Sequence, residues 1–309
     1  MNAQIELLKG AAFASVQDLG RYGYQAIGLG PSGVMDFRLA FLANGLLGQK
    51  TNCAGLEFSS SPLELRALNT KVQLIIAALS TITIEGKSCP SFTVLTLEAE
   101  QILHVHPPNS HTYGFIAFAG GLACQCFGNS QSRHIRANIG SKLFDGIKLP
   151  LNSAGTCPKR TIKPPSFLRQ KNPILTYTWG PQENMFTEKA RLCFESQPYR
   201  VSGQRDRMGL HLEGTRLEHL KRADITSDPI AFGAIQVPAN GQPIAMLAER
   251  QTTGGYAKIA CLTRNSAATL AQCPTGREVR FKAIRAEDAQ LQAQFVAITL
   301  KQALENVGF

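Results

Sequence analysis

The chain has 309 residues, 44% of them hydrophobic and 17% charged, and a formal net charge of +10. This length supports one large core or two of ordinary domain size, and the composition is typical of a soluble globular protein. No apolar run approaches the roughly 20 residues that span a bilayer, and the N-terminus lacks the pattern of a secretory signal. We therefore expect a cytoplasmic protein with no membrane association, whose eight cysteines stay reduced.

The positive charge favours anionic ligands or acidic partners. Five basic residues without an intervening acid crowd one segment: Lys159, Arg160, Lys163, Arg169 and Lys171. This segment is either a nucleic-acid-binding element or a solvated linker. No recognition helix, zinc finger or aromatic-rich RNA motif accompanies the charge, so we favour the linker and predict no nucleic-acid binding.

The first half of the chain predicts strands around one clear helix. Residues 3–9 form an opening strand, and Asp36 is well placed as the N-cap of a helix that ends before Gly48. Between residues 57 and 119, short apolar or alternating runs separated by turn signals favour an all-β barrel or sandwich. Prolines then mark a linker over residues 156–172, which divides a half at 1–155 from a half at 173–309.

In the second half, a polar segment interrupts two apolar runs. Residues 244–248 are apolar, residues 249–253 are polar, and Gly254-Gly255 precede a second strand pattern at 256–262. The polar segment is either a strand end that opens into a lined cavity or a tight loop that caps strand ends. Asn240-Gly241 predicts a hairpin turn. An amphipathic helix at 286–307 has five candidate core residues: Leu291, Phe295, Ile298, Leu300 and Leu304.

Three arginines are candidate anion binders: Arg21, Arg207 and Arg250. A guanidinium presents paired donors that match carboxylate or phosphate oxygens. The alternative for each is a structural ion pair, and Asp18 and Asp206 lie close in sequence to two of them.

Four acids are candidates for a general base or for holding those arginines: Asp18, Asp36, Glu57 and Glu249. For Asp36, helix capping competes with catalysis. Several side chains could hydrogen-bond a ureido or lactam group, which offers both C=O and N–H, or could satisfy strand ends instead: Gln17, Gln236, Gln251, Thr252 and Tyr256.

Other motifs are weak or missing. His104, His106 and His111 form no matched ligand set, so we predict no metal site. Ser32 lacks the strand-to-helix pattern of a nucleophile elbow. The segment 48–51 lacks the glycine of a phosphate loop, and no Met-Lys-Met segment for covalent biotin is present. Any ATP or biotin chemistry would therefore need other chains.

Longer motifs resemble one known family. Residues 233–238, 240–244 and 251–256 resemble the C-terminal signature of the biotin-dependent carboxyltransferases, a family that includes allophanate hydrolase subunit 2 and the C subunit of 5-oxoprolinase. Shorter matches follow in the family's order at residues 15–21, 32–36, 43–44, 56–57, 119–121 and 207–209. The sequence departs from the family at Glu249, where aspartate is usual, at Ala257, where proline is usual, and at 77–79, where Thr-Gly-Ala is common.

The resemblance implies a mainly β fold of two cyclophilin-like β-barrel halves with a few flanking helices and a cleft between the halves. Together with the residue chemistry, it gives two sets of site residues. The predicted catalytic residues are Asp18, Arg21, Glu57, Glu249 and Tyr256. The predicted substrate-binding residues are Gln17, Ser32, Asp36, Arg207, Gln236, Arg250, Gln251, Thr252, Thr253, Gly254 and Gly255.

The resemblance further implies a subunit of an ATP-dependent 5-oxoprolinase complex, which hydrolyses 5-oxoproline (pyroglutamate) to glutamate and in which this chain is inactive alone. Companion subunits A and B would then be its partners, and a partner would bind most of the ATP. One alternative is a biotin-dependent carboxyltransferase that acts on a urea-like amide. A second is a non-enzymatic regulator that binds a partner resembling a kinase inhibitor.

Overall fold

The computed structural model describes residues 3–308 and confirms the mainly β prediction. Four α-helices occur in this part of the chain: α1 (Phe37–Leu46), α2 (Glu188–Ser196), α3 (Arg264–Gln272) and α4 (Ala286–Glu305). None of the helices within 3–308 combines the length and hydropathy that a membrane crossing requires.

The chain divides into two compact units that are interleaved in sequence. Unit 1 takes the chain up to Arg21, then Ser32–Leu168, and then the C-terminal residues from Thr299 onward. Unit 2 takes Tyr22–Pro31 and Arg169–Ile298. The boundary at 168/169 falls within the proline-containing segment 156–172.

Unit 1 contains two antiparallel sheets. Its strands are β1 (Gln4–Lys9), β2 (Ala14–Gln17), β3 (Gly55–Phe58), β4 (Leu63–Leu68), β5 (Val72–Ala77), β6 (Ile82–Ile84), β7 (Lys87–Cys89), β8 (Leu95–Leu97), β9 (Ile102–Val105), β10 (Gly114–Phe118) and β11 (Ile147–Pro150). The sheet orders are β11-β1-β4-β9-β6-β7 and β2-β3-β10-β5-β8. Apolar side chains of both sheets, including Leu65 and Ile76, pack in one core.

Unit 2 contains a closed seven-stranded barrel beside a two-stranded sheet. Its strands are β12 (Ile174–Trp179), β13 (Tyr199–Arg205), β14 (Gly209–Glu213), β15 (Asp224–Pro229), β16 (Ala234–Gln236), β17 (Ile244–Met246), β18 (Thr253–Tyr256), β19 (Lys258–Leu262) and β20 (Glu278–Ala283). The barrel order is β12-β19-β16-β17-β14-β13-β20, and the parallel pairing of β20 with β12 closes it. The remaining strands, β15 and β18, pair with each other.

Local signals explain the best-predicted elements. Asp36 caps α1 by accepting a hydrogen bond from the Arg38 backbone N–H at 3.1 Å. Gly48 follows the helix with a φ of 69°, a conformation that glycine adopts at little cost. The predicted turn at Asn240-Gly241 joins β16 to β17, which pair in antiparallel register.

Two expectations were wrong. Leu300 and Leu304 of α4 are buried, but Leu291, Phe295 and Ile298 are 62%, 70% and 54% exposed, so the predicted apolar stripe packs only at its C-terminal end. The polar segment before residue 256 is not all loop, because Thr253–Tyr256 forms strand β18 against β15.

Candidate functional site

In unit 1, four predicted site residues hold one loop, residues 127–133. Asp18 accepts hydrogen bonds at Oδ1 from the Ser130 hydroxyl at 2.7 Å and the Ser132 hydroxyl at 2.5 Å. Its Oδ2 accepts one from the Gln131 backbone N–H at 2.7 Å. With a further contact from the Gly20 backbone N–H, this buried carboxylate is occupied by donors of its own chain.

Arg21 holds the same loop from its other side. The guanidinium of this buried residue donates to the carbonyl oxygens of Ser132 at 2.6 Å and of Phe127 at 3.2 Å, and it lies over the Phe127 ring. The loop therefore takes its shape from both Asp18 and Arg21. We interpret these two residues as positioning residues.

Gln17 and Ser32 meet at one carbonyl of the same loop. Gln17 Nε2 and Ser32 Oγ both donate to the Arg133 carbonyl oxygen, at 3.0 and 2.6 Å. Ser32 has a φ of 55°, which places its hydroxyl on the loop at some backbone strain. Gln17 Oε1 is buried and has no hydrogen-bond partner within residues 3–308.

The other two predicted residues of unit 1 organise the start of α1. Glu57, on β3, accepts a hydrogen bond from the Met35 backbone N–H at 2.6 Å. Asp36 caps the helix and also forms a two-point ion pair with Arg38, with both contacts at 2.8 Å and both side chains buried. This geometry supports the capping interpretation of Asp36 over catalysis.

In unit 2, Arg207 and Glu249 are brought together. Arg207 Nε lies 2.7 Å from Glu249 Oε1, and the Glu249 backbone N–H donates to the Arg207 carbonyl oxygen. The pair joins the β13–β14 turn to the segment after β17. Arg207 therefore forms a structural ion pair, the alternative to anion binding at this position.

Arg250 is a buried cation held by backbone oxygens. Its Nε donates to the Ile230 carbonyl oxygen at 2.9 Å and its Nη1 to that of Leu247 at 3.3 Å. No carboxylate within residues 3–308 lies at ion-pair distance from it, and burial lowers the pKa of its guanidinium. A desolvated guanidinium without a carboxylate partner is a good binding group for an anionic ligand.

Gly254 lies close to two side-chain amides and to the Ile230 side chain. A Cβ at this position would come within 2.7 Å of Gln236 Nε2 and 3.5 Å of Gln251 Nε2, and within 2.6 Å of the Ile230 side chain. Because Ile230 also accepts from Arg250, the guanidinium and the two amides belong to one neighbourhood. We call Gln236, Arg250, Gln251 and Gly254 the Gly254 cluster.

The other predicted residues of this segment line the edge of the cluster. The Thr252 carbonyl oxygen accepts from the Ile230 N–H at 3.0 Å, and Thr253 pairs with Pro229 across β15 and β18. Gly255 is half-buried, and Tyr256 is 41% exposed opposite Asp224. Of the predicted site residues, the structure thus groups Gln236, the substrate-binding candidates at 250–255 and the catalytic candidate Tyr256 in unit 2.

Sequence reasoning missed three residues beside the Gly254 cluster. Lys258 is a buried lysine whose Nζ lies 2.9 Å from Asp228 Oδ2, and Gln182 Nε2 donates to the same oxygen at 3.0 Å. These contacts lower the pKa of the Asp228 carboxyl. The polar residues Lys258 and Gln182 adjoin strand patterns, and only the pairing of distant strands brings them together. Ser130 and Ser132, the donors to Asp18 in unit 1, were likewise missed.

No group of three or more histidine, cysteine or acidic side chains within residues 3–308 could hold a metal ion. The Gly254 cluster offers fixed N–H donors from Gln236 and Gln251 and a cation from Arg250. Such groups can bind a carboxylate and stabilise negative charge on an amide oxygen.

Comparison with known proteins gives the family. A family model described as the carboxyltransferase domain, subdomains A and B, matches residues 27–283. The chain belongs to the carboxyltransferase-domain family. The resemblance inferred from the motifs is thereby confirmed.

Curated relatives in this carboxyltransferase-domain family include bacterial and fungal proteins. The chain is 28% identical to the C subunit of 5-oxoprolinase from Escherichia coli, over 92% of this chain and 93% of that protein. It is 28% identical to the protein of the same name from Haemophilus influenzae, with the same coverage of both chains. Urea amidolyase of Saccharomyces cerevisiae is 23% identical over 95% of this chain, which spans 17% of that enzyme.

Solved structures show the same carboxyltransferase-domain fold. The crystal structure of TTHA0988 superposes with a TM-score of 0.83 at 28% identity and covers 91% of this chain, which spans 55% of that protein. Urea amidolyase of K. lactis superposes with a TM-score of 0.87 over 97% of this chain, which spans 20% of that protein. At 21% identity the second comparison shows a shared fold alone.

Proposed function

We propose that this chain is a subunit of an ATP-dependent 5-oxoprolinase complex that hydrolyses 5-oxoproline to glutamate. The two bacterial relatives named as the C subunit of 5-oxoprolinase match nearly from end to end, which supports the proposal. The word subunit in those names supports companion chains, here subunits A and B. On this proposal the chain is inactive alone, and ATP is bound mainly by a companion.

The observation that carries the proposal is the Gly254 cluster. The substrate 5-oxoproline has a carboxylate and a planar lactam, so its binding needs a cation close to amide-binding donors and acceptors. Arg250 supplies a buried cation without a carboxylate partner in the described part of the chain, and Gln236 and Gln251 place side-chain amides close to Gly254. Thr252, Thr253 and Tyr256 extend the polar surface, and the absence of a side chain at Gly254 lets the Gln236 amide approach the backbone closely.

The chain's own chemical task is then to orient the lactam and to stabilise charge. Opening a lactam develops negative charge on its carbonyl oxygen, and fixed N–H donors stabilise that charge without reorganising. On this proposal Arg250 and the amides of Gln236 and Gln251 contact substrate. Arg207 and Glu249 hold the segment 247–250, while Gln17, Asp18, Arg21, Ser32, Asp36 and Glu57 shape unit 1.

Reconstitution with the companion subunits tests the proposal. We expect ATP-dependent formation of glutamate from 5-oxoproline with the full set of subunits and none when this chain is omitted. Replacing Arg250 with Met should lower the rate about 10- to 100-fold, since a charge-assisted hydrogen bond contributes roughly 1.5–3 kcal/mol. Arg200→Met is the matched control, because Arg200 is exposed on β13 of the same barrel. Glutamate formation at an undiminished rate without this chain would contradict the proposal.

A second candidate is a biotin-dependent carboxyltransferase that acts on a urea-like amide. The description of the family and the similarity to urea amidolyase favour it. The carboxyltransferase activity requires a biotinylated partner and a carboxyl group derived from bicarbonate. The proposed hydrolysis of 5-oxoproline requires neither. Carboxylation of urea that depends on a biotinylated carrier protein, with no glutamate from 5-oxoproline, would favour the second candidate.

A further inference from the structure

Lys258 and Asp228 form an ion pair that differs in burial from two other pairs, Arg38–Asp36 and Arg207–Glu249. In the Arg38–Asp36 pair both side chains are at most 2% exposed, and in Arg207–Glu249 they are 11% and 3% exposed. The Lys258 side chain is 4% exposed, but that of Asp228 is 36% exposed. The cation is therefore buried while its counter-ion lies at the surface.

This asymmetry makes the two partners unequal when the pair separates. Asp228 can turn into water, where its charge is solvated. Lys258 cannot follow, and a buried ammonium without an anion is strongly unfavourable. The site therefore requires an anion, but it does not require that the anion be Asp228.

The hydrogen bonding of Lys258 is also incomplete. An ammonium carries three N–H donors, and the contact with Asp228 at 2.9 Å provides one carboxylate oxygen. No acceptor within residues 3–308 is aligned with the buried Nζ as a hydrogen-bond partner. An incoming carboxylate could therefore satisfy donors that the resting pair leaves unused.

Strand register places this lysine beside the Gly254 cluster. Lys258 on β19 is paired with Gln236 on β16, and Asp228 on β15 is paired with Gly254 on β18. Gln182 fixes the arrangement, since its Oε1 accepts from the Lys258 backbone N–H at 3.2 Å while its Nε2 donates to Asp228. The segment 228–230, at the end of β15, thus contacts both buried cations, Lys258 through Asp228 and Arg250 through Ile230.

We propose that Lys258 is a second substrate-binding residue, which receives the carboxylate of a small carboxylated amide or lactam, and that Asp228 occupies this position until the ligand displaces it. The inference rests on the proposed function, because that function supplies a substrate with a carboxylate. Exchange of one carboxylate for another leaves the charge around Lys258 unchanged. The hydration that the incoming carboxylate loses is offset by the hydration that the displaced Asp228 carboxylate gains. Arg250 remains available to the lactam group or to its developing oxyanion.

Binding to the full chain alone tests the inference, with isothermal titration calorimetry and ligand-induced thermal shift as readouts. The probes are 5-oxoproline and pyrrolidinone, the same lactam without its carboxylate. We expect 5-oxoproline to bind at least about tenfold more tightly than pyrrolidinone, because it alone forms the charge-assisted contact. Lys258→Met should remove this preference, and Lys282→Met, at an exposed position of β20, should preserve it.

Asp228→Asn distinguishes displacement from a purely structural ion pair, because only displacement predicts tighter binding of 5-oxoproline in this variant. If Asp228 competes with the ligand, its neutral replacement should bind 5-oxoproline severalfold more tightly and show a larger thermal shift. The asparagine can still accept from Gln182, so the local backbone is retained. This variant also keeps the inference testable if Lys258→Met does not fold.

Equal binding of the two lactams, absence of 5-oxoproline binding, or weaker binding by Asp228→Asn would overturn the inference. None of these results decides the proposed function, which the reconstituted complex tests through glutamate formation. A complex that forms glutamate while the chain alone shows no carboxylate preference would leave the proposed function standing and remove the role of Lys258. Conversely, carboxylate-selective binding through Lys258 in a complex that forms no glutamate would overturn only the proposed reaction.

Discussion

Arg207 and Glu249 form an ion pair across 42 residues of sequence, with Nε and Oε1 2.7 Å apart and side chains only 11% and 3% exposed. The pair is reinforced by a backbone hydrogen bond from Glu249 to Arg207. It fixes the chain immediately before Arg250, the cation on which the proposed function depends.

Removing one member of this pair should cost much more stability than removing both. We expect Glu249→Ala to lower the free energy of unfolding by about 3–5 kcal/mol, because it leaves a buried guanidinium without its carboxylate. The double variant Arg207→Met with Glu249→Leu should recover most of that loss. Urea denaturation followed by circular dichroism measures both. A loss under about 1 kcal/mol for the single variant would mean that the pair behaves like an exposed one.

Asp18 should prove to be a residue that orders the 127–133 loop. In Asp18→Asn, an amide N–H would face the Gln131 backbone N–H that now donates to Oδ2. The mismatch should cost about 1–3 kcal/mol and release the loop. Limited proteolysis with mass spectrometry should show faster cleavage within residues 127–133 than in Glu98→Gln, an exposed control. Unchanged cleavage would argue against the positioning role.

The two adjacent glycines should respond differently to alanine. At Gly254 a methyl group would come within 2.6 Å of Ile230 Cδ1 and 2.7 Å of Gln236 Nε2, whereas at Gly255 the nearest atom lies at 3.5 Å. We expect Gly254→Ala to displace the Gln236 side chain and to lower glutamate formation by the reconstituted complex about tenfold, the equivalent of one hydrogen bond. Gly255→Ala is the matched control and should remain close to the parent rate. Similar losses in both variants would show that the position of the Gln236 amide is not what matters.

His219 should make the protein less stable below neutral pH. Its ring packs on Phe186 at 4.6 Å and its Nε2 contacts the Val237 carbonyl oxygen at 3.1 Å, and burial lowers its pKa despite the opposing charge of Asp224. The unfolded chain therefore takes up a proton at a higher pH than the folded chain. The contribution of His219 is fully present above its ordinary pKa of about 6.5 and is lost as pH falls through the lower folded value.

The measurement is the melting temperature between pH 5 and 7. In His219→Gln the fall in melting temperature on acidification should be smaller than in the parent protein. His106→Gln, at an exposed histidine, is the control and should retain the parental slope. An unchanged slope in His219→Gln would assign the pH dependence to other groups.

Features with local causes were predictable from the sequence. Helix α1 was predictable because its start, buried face and end are specified within 13 residues, by Asp36, an apolar stripe and Gly48. The turn at Asn240-Gly241 was predictable for the same reason. The segment 249–255 was identified as a candidate site because polar residues and two glycines are concentrated there between apolar runs.

Features that depend on distant pairing were not predictable. Strand β18 forms because β15 pairs with it, and β15 is polar and largely exposed, so neither strand shows the alternation that marks a half-buried sheet. The partner of Arg207 lies 42 residues away, and the partner of Lys258 lies on another strand pair. The exposure of Phe295 on α4 could not be predicted, since helical periodicity identifies an apolar face but not what covers it.

The interleaving of the two units bears on how such a gene can be divided. Unit 2 needs residues 22–31 from near the start of the chain, and unit 1 needs the last residues, where the Leu304 side chain fills the space above Gly45. Gene fission within residues 156–172 would leave each product without a segment encoded by the other. We therefore expect gene fusions to join other domains at the termini of this polypeptide and the two interleaved units to be inherited together.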